Sequence, residues 1–326
     1  MKTLALLMVV AIFQCVASDI PANRRVMYWG WETGASISRT LQCDGRDVSN
    51  AVAIVCGPNH NLALLATGEV VGWGWNRSGQ ATGISVQSLE FASGTVRLDG
   101  QPLKSVRSLA IGRNLSYALL ESGQVAVWGD ASPELLDHAH RLRDVQLLAA
   151  SEGQFLVADR NSKITLWPPS MMAAGQAPAT SINLLSVVIS GTMPNQSSGM
   201  ALLRDGTVVR WGHVPDVPPG LSNIVAIAYG EGERTSRGHG LALKADGRVV
   251  GWGDNVWGQA QPPPNLSEVV AIAAGSTHSL ALRKDGTIMG WGDNRWGQLN
   301  IPADLVGVVA IAAGGYKSAA IIRREE

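Results

Sequence analysis

Six histidines and a set of regularly placed aspartates are the residues of this 326-residue chain best suited to acid–base or metal chemistry. The histidines are His60, His138, His140, His213, His239 and His278. A catalytic histidine needs surroundings of its own, tuned to one proton transfer. His60 and His278 instead stand at equivalent places in similar segments, Gly57-Pro-Asn-His and Gly275-Ser-Thr-His, and His239 falls near the same place in a longer segment. Such recurrence points to a staple between repeated units. Asp130, Asp254 and Asp293 each follow a Trp-Gly pair, which suits turn-fixing better than a carboxylate pair. His138 and His140 could face the same way on a strand or bind a metal, but no third ligand is evident. No Ser/His/Asp order or phosphate-binding glycine loop emerges, so no catalytic residue, cofactor or metal is expected.

Composition narrows the classes further. Lys+Arg and Asp+Glu are both 26, so the formal net charge is zero. That balance gives no field for nucleic acid. Residues 1–18 read as a secretory signal peptide. Lys2 supplies the positive end, Leu4 to Phe13 an unbroken apolar run, and Val16-Ala17-Ser18 the small residues before a cut at Asp19. The run is about half of what a bilayer span needs, and no other segment is apolar enough to cross. A lipidated Cys15 is the alternative, with Gln14 before it bulkier than that processing accepts. The expectation is a secreted protein, extracellular or periplasmic, whose mature part, 19–326, is one domain. Removing the signal leaves Cys43 and Cys56. In an oxidising compartment the pair can be bridged, adding roughly 3 kcal/mol in the chain-entropy model. Cys56 also occupies a strand position that elsewhere holds Ala, where a buried thiol would fit. Four N-x-S/T sequons, at Asn76, Asn114, Asn195 and Asn265, matter only in a glycosylating host.

The elements that position these residues come from a repeat. Trp29, Trp73, Trp128, Trp167, Trp211, Trp252 and Trp291 are separated by 44, 55, 39, 44, 41 and 39 residues, and a period near forty marks an array of similar units. Five residues before each of the last six lies a turn position, Asp-Gly in three cases (Asp205-Gly206, Asp246-Gly247, Asp285-Gly286). This pattern predicts a tight two-residue hairpin. Three residues before each tryptophan stands Val or Ile, so both sides of that strand are apolar. Two strands precede it. One ends at Gly57, Gly112, Ser151, Gly191, Gly230, Gly275 or Gly314. The next is Leu-Ala-Leu-like, its small centre at Ala63, Ala118, Val157, Ala201, Ala242, Ala281 or Ala320, as a crowded site near a common axis would require.

A three-stranded sheet cannot bury both faces alone, whereas seven arranged radially can. The fold expected is all-β, a seven-bladed β-propeller. Arg25 to Gly30 is a tryptophan strand with nothing before it, and Val308 to Arg323 supplies two strands with no tryptophan strand after them. One blade should therefore be closed by the N- and C-terminal strands; an open solenoid would leave two unpaired apolar edges. Residues 81–104 should add a hairpin around Ala92-Ser-Gly94, residues 131–143 a short helix, and residues 168–183 a Pro/Ala-rich loop.

Three tryptophans open a longer motif, W-G-x-N-x-x-G-Q, at Trp73–Gln80, Trp252–Gln259 and Trp291–Gln298. With the Gly57–Leu64 and Gly275–Leu282 segments upstream, residues 24 to 323 resemble the regulator-of-chromosome-condensation repeat family. That resemblance implies a seven-bladed propeller. The short repeat and split blade look most like secreted members, among them bacterial propellers that inhibit β-lactamases by covering the enzyme with one face. The family's nuclear members are nucleotide exchange factors for a small GTPase on chromatin, a role that a signal peptide and zero net charge argue against. Ser151 in place of Gly and Trp167-Pro168-Pro169 depart from the pattern in the third unit, as does the Pro-rich stretch after Trp211-Gly-His213 in the fourth.

Strand order places the loop after each Gly and the loop after each Trp at one end of the blade. The interval from Gly to Trp is 16 residues in the regular units but 20 after Gly191 and 22 after Gly230. The second of these carries Arg234, Arg237 and His239. Trp75, Trp257, Trp296 and Tyr316 should share that face. Exposed aromatics with Arg nearby suit a protein interface. Because the W-G-x-N-x-x-G motif repeats, packing of each loop onto its own blade is the favoured role for these tryptophans, and the Arg loop could be a solvated insertion. The reading is a non-enzymatic module, monomeric, that binds another protein through Arg234, Arg237, His239, Trp257, Trp296 and Tyr316, with an extracellular enzyme as one client. Carbohydrate or cell-surface binding and a hydrolase with its site at the channel are the alternatives.

Overall fold

The computed structural model describes residues 24–31, 39–43, 45–85, 91–151, 154–161, 163–168, 183–190, 198–232, 238–303 and 305–323. The signal-like leader, Arg234 and Arg237 lie outside them. Among the described residues are seven antiparallel sheets of three or four strands, numbered here as blades. Blade 1 holds Ala51–Cys56, His60–Leu65, Val70–Trp75 and Phe91–Thr95; blade 2, Val106–Ile111, Leu115–Leu120 and Val125–Gly129; blade 3, Val145–Ser151, Gln154–Asp159 and Ile164–Trp167. Blade 4 holds Leu184–Ser190, Ser198–Leu203 and Val208–Trp211; blade 5, Ile224–Gly230, His239–Lys244 and Val249–Gly253; blade 6, Val269–Ala274, His278–Arg283 and Ile288–Gly292. In blade 7, Val308–Gly314 and Lys317–Arg323 are joined by Arg24–Gly30, with Arg39–Thr40 outside. The chain's two ends run side by side there, from Arg24 opposite Arg323 to Gly30 opposite Lys317. The first strand of each blade touches the first strand of the next, and that of blade 7 touches that of blade 1. The molecule is a β-propeller.

The Leu-Ala-Leu strand explains how the sheets stack. Its two large residues face the next blade, and its small one faces the previous blade beneath its own sheet's tryptophan. Leu62 and Leu64 thus meet Ala118 and Trp128, Met200 and Leu202 meet Ala242 and Trp252, and Leu241 and Leu243 meet Ala281 and Trp291. At the seam between the chain's two ends and blade 1, Ala319 and Ile321 meet Ala63 and Trp73. The small centre shares a cluster with its own sheet's tryptophan, and the axis is lined by the first strands instead. Fully burying one such large side chain contributes roughly 1.5–3 kcal/mol.

Three local expectations are corrected. The Asp-Gly turns are three-residue hairpins rather than two-residue ones. Arg283 N–H donates to Thr287 C=O across Lys284, Asp285 and Gly286, and only the glycine has positive φ, +83°. Asp285 instead accepts from the Thr287 amide at 2.9 Å, as Asp205 does from Thr207. A bulged turn of this kind matches the twist of the flanking strands as well as a two-residue turn does. Residues 91–95 are a fourth strand on blade 1, not a hairpin; the hairpin lies just beyond, Arg97–Leu98 against Gln101–Pro102. Cys43 and Cys56 are thiols. Cys43 Sγ approaches Thr95 Oγ1 at 4.0 Å on the outermost strand, while Cys56 ends the innermost. Thr95 pairs with Val71, Val71 with Ala63 and Ala63 with Ile54. Three strand spacings of about 4.8 Å separate the two edges, far beyond the reach of a disulfide.

A helix, Pro133–Arg141, follows blade 2, where the sequence placed a short helix. Ser132 caps it by accepting from the Leu135 amide at 3.2 Å. No helix among the described residues is long and apolar enough to cross a membrane.

Candidate functional site

The loops after the tryptophans are built by their own motif. The glycine after Trp takes φ of +93 to +110° in Trp29-Gly30, Trp73-Gly74, Trp252-Gly253 and Trp291-Gly292. A Cβ on Gly292 would stand 2.6 Å from the Thr277 carbonyl, so only glycine fits. The Asn of the motif then fastens the loop. Asn76 Oδ1 accepts from the Ala81 and Thr82 amides at 2.9 and 3.0 Å, Asn255 from Ala260 at 2.9 Å and Asn294 from Leu299 at 2.7 Å. The side chain of the final Gln accepts from the amide two residues earlier, which pins the backbone of Trp257 and of Trp296, each at 2.9 Å.

The backbone carbonyl of that Gln serves the neighbouring blade. Gln80 C=O accepts from Ser116 Oγ at 2.8 Å and from Trp128 Nε1 at 3.0 Å. Ser116 Oγ also lies 2.6 Å from His60 Nε2. The serine hydrogen is committed to the carbonyl, so His60 must carry its proton on Nε2 and donate. The same relay joins His239, Ser279, Gln259 and Trp291 at 2.8, 2.9 and 2.8 Å. It recurs with His278, Ser318, Gln298 and Trp29 at 3.0, 2.7 and 3.0 Å. All three histidines are fully buried, and burial is the main cause that lowers their pKa, to about 3 for His60 and His278 and about 4 for His239. They are neutral hydrogen-bond donors. His239, expected to touch a partner, is corrected here: it is enclosed in the seam between blades 5 and 6.

The other acid–base candidates are also held in place. His138 lies on the helix, not on a strand, and packs its ring 4.9 Å from Trp167 and 5.9 Å from Phe155. Asp293 is buried and binds the Arg295 guanidinium at 3.0 Å twice, with Thr277 Oγ1 at 3.1 Å. Among the described residues no group of three His, Cys, Asp or Glu could hold a metal ion.

What the loops leave exposed is aromatic. Trp257 is 40% exposed, Trp296 45% and Trp31 41%. They are linked across three blades: Arg295 lies 3.8 Å over the Trp257 ring, Trp296 meets Tyr316 at 6.2 Å, and the Trp31 amide donates to the Tyr316 carbonyl at 3.1 Å. Trp257 and Trp296 thus meet side chains of the next blade's loop rather than packing only onto their own, while Trp31 and Tyr316 belong to one blade. Trp75 behaves otherwise, standing edge-on to Phe91 of its own sheet at 5.5 Å. Trp31 and Arg295 were missed in the sequence, although Trp29-Gly-Trp31 repeats the pattern of Trp73-Gly-Trp75. Loop hydrogen bonds hold the backbone amides of Trp257, Trp296 and Trp31, and the Arg295 guanidinium is already paired with Asp293. Such a surface can stack on or bury apolar and planar groups without ordering long side chains.

Comparison with known proteins agrees with this architecture. The Regulator of chromosome condensation (RCC1) repeat matches residues 51–80 and 269–298. The chain is 38% identical over 73 residues to the Rho GTPase-activating protein gacGG of Dictyostelium discoideum, 22% of this chain and 6% of that protein. It is 30% identical over 143 residues to the Protein RCC2 homolog of Danio rerio, 41% of this chain and 28% of that one. It thus spans well under a third of either relative. Among solved structures, yeast RCC1 (Prp20) bound to Kap60 superposes with a TM-score of 0.69 at 18% identity, covering 100% of this chain and 95% of that one; at that identity the likeness speaks to fold.

Proposed function

We propose that this RCC1-repeat β-propeller is a non-catalytic protein-binding module, secreted, whose client is an extracellular enzyme that it covers with one face. The observation that carries the reading is the contiguous exposed strip of Trp257, Arg295, Trp296, Tyr316 and Trp31. Interfaces concentrate their energy in a few aromatic and Arg anchors, and here such anchors stand together on the loop face. The sequence adds Arg234 and Arg237 to that face, and the signal-like leader supports secretion. Yeast RCC1 has been crystallised with a protein partner, Kap60, which supports the class of function, not the identity of the client.

The test uses the mature chain, 19–326, as bait for secreted proteins of its source, with the captured enzyme then assayed for inhibition. Replacing Trp31, Trp257 and Trp296 by Ala should weaken capture by at least about 30-fold, some 2 kcal/mol, with the melting temperature kept. Arg234→Ala with Arg237→Ala should weaken it further. Capture that survives both sets would refute the proposed face. Glycan-array binding abolished by Trp257→Ala would favour carbohydrate recognition instead.

A further inference from the structure

We propose that the axial channel is a binding site for a small organic amine, its hydrocarbon part held along the axis and its ammonium at the loop-face mouth. The channel, about 250 Å³, is lined by the first strands of all seven blades. Its wall is hydrocarbon for most of its length, with Val52, Ile111, Leu148, Val188, Ala274 and Ile311 as examples. Polarity appears at the end where those strands run into their loops, as Ser151, Tyr229, Glu231 and Ser276. Glu231 is the one charged residue among the described lining residues. Ser151 Oγ donates to its carboxylate, one of about four acceptor positions that a carboxylate has. Burial raises the pKa of the Tyr229 phenol, which is hydrogen-bonded to Ser190, so the phenol stays neutral beside that carboxylate.

The chemistry selects the ligand class. An apolar wall accepts an alkyl or aryl group. A carboxylate at its mouth attracts an ammonium, and no Lys, Arg or His among the described lining residues would hold a carboxylate or phosphate. The site is distinct from the aromatic strip and stands whether or not the strip binds a protein.

Calorimetric titration of the chain 19–326 with butylamine, hexylamine, octylamine and octanoate tests it. Affinity should rise about four-fold for each added CH₂, and octylamine should bind about ten-fold or more tightly than octanoate. Glu231→Gln, at the mouth, should remove that preference while keeping the dependence on chain length. Ala150→Leu with Ala313→Leu should narrow the channel and abolish binding of both. Absence of saturable octylamine binding to the folded chain would overturn the proposal, as would a preference for the amine that persists in Glu231→Gln. Undiminished binding in a folded Ala150→Leu/Ala313→Leu variant would do the same.

Discussion

His60, His239 and His278 show what a buried, repeated histidine does in this protein. Each donates through Nε2 to a serine of the next blade, and that serine and a tryptophan indole share one glutamine carbonyl. Removing the hydroxyl of Ser279 or Ser318 would leave a buried ring nitrogen without an acceptor. Ser279→Ala is therefore expected to cost about 1–3 kcal/mol, read from denaturant unfolding. The same histidines give a pH signature. Their folded pKa values, near 3 to 4, lie below the unfolded value of about 6.5. The unfolded chain therefore takes up protons first as pH falls. The stability they contribute is complete above about pH 6.5 and is lost progressively as pH drops towards 4. Each histidine adds a slope of about 1.4 kcal/mol per pH unit in that range. Thermal melts between pH 7.5 and 4.5 should show this, and His278→Asn should flatten the slope while lowering stability at pH 7.5. Equal slopes in the two proteins would contradict the assignment.

At the scale of the strand and turn, the repeat's punctuation is conformational. The residue before six of the seven inner strands is left-handed, at Asn50, Ser105, Asp144, Asn223, Glu268 and Gly307, with φ from +54 to +66°, and a register shift follows within that strand. Glu is poorly suited to that region, so Glu268→Asn should raise stability by a few tenths to about 1 kcal/mol. Gly247→Ala, at φ +82°, should lower it by about 1 kcal/mol or more. Differential scanning calorimetry of the two variants checks both signs. Strand existence was legible because each strand carries its own apolar signature, and the Trp and Leu-Ala-Leu positions fell where the period put them. The left-handed positions were not, because Asn, Asp and Gly, which favour that region, hold only four of the six, and Ser105 and Glu268 carry no such signal. Nor were the relays. The histidines repeat visibly, but each partner serine stands 40 or 56 residues on, in another unit. Trp31 was hidden because its repeat is split between the chain's two ends.

At the scale of the molecule, residues 24 and 323 lie opposite each other in one sheet, so the ring has no preferred starting point. A circular permutant of residues 24–323, with these two residues joined by a short linker and new ends placed after Pro264 in the exposed loop before blade 6, should keep a single cooperative thermal transition. Deleting residues 24–30 should instead abolish it, because it strips the Trp29 strand from the blade that closes the circle. The relays that tie the blades are unevenly shared. They span the joints between blades 1 and 2, 5 and 6, and 6 and 7, whereas the indole nitrogens of Trp73 and Trp252, at the joints of blades 7 and 1 and of blades 4 and 5, have no hydrogen-bond partner. Under load a hoop parts at its weakest joint. Blades 5 to 7 therefore form a stiff arc, while the joint before Trp252 has more give. A partner resting across it would act as a splint, and hydrogen exchange in Met200–Leu202 and Leu241–Leu243 would slow when it binds.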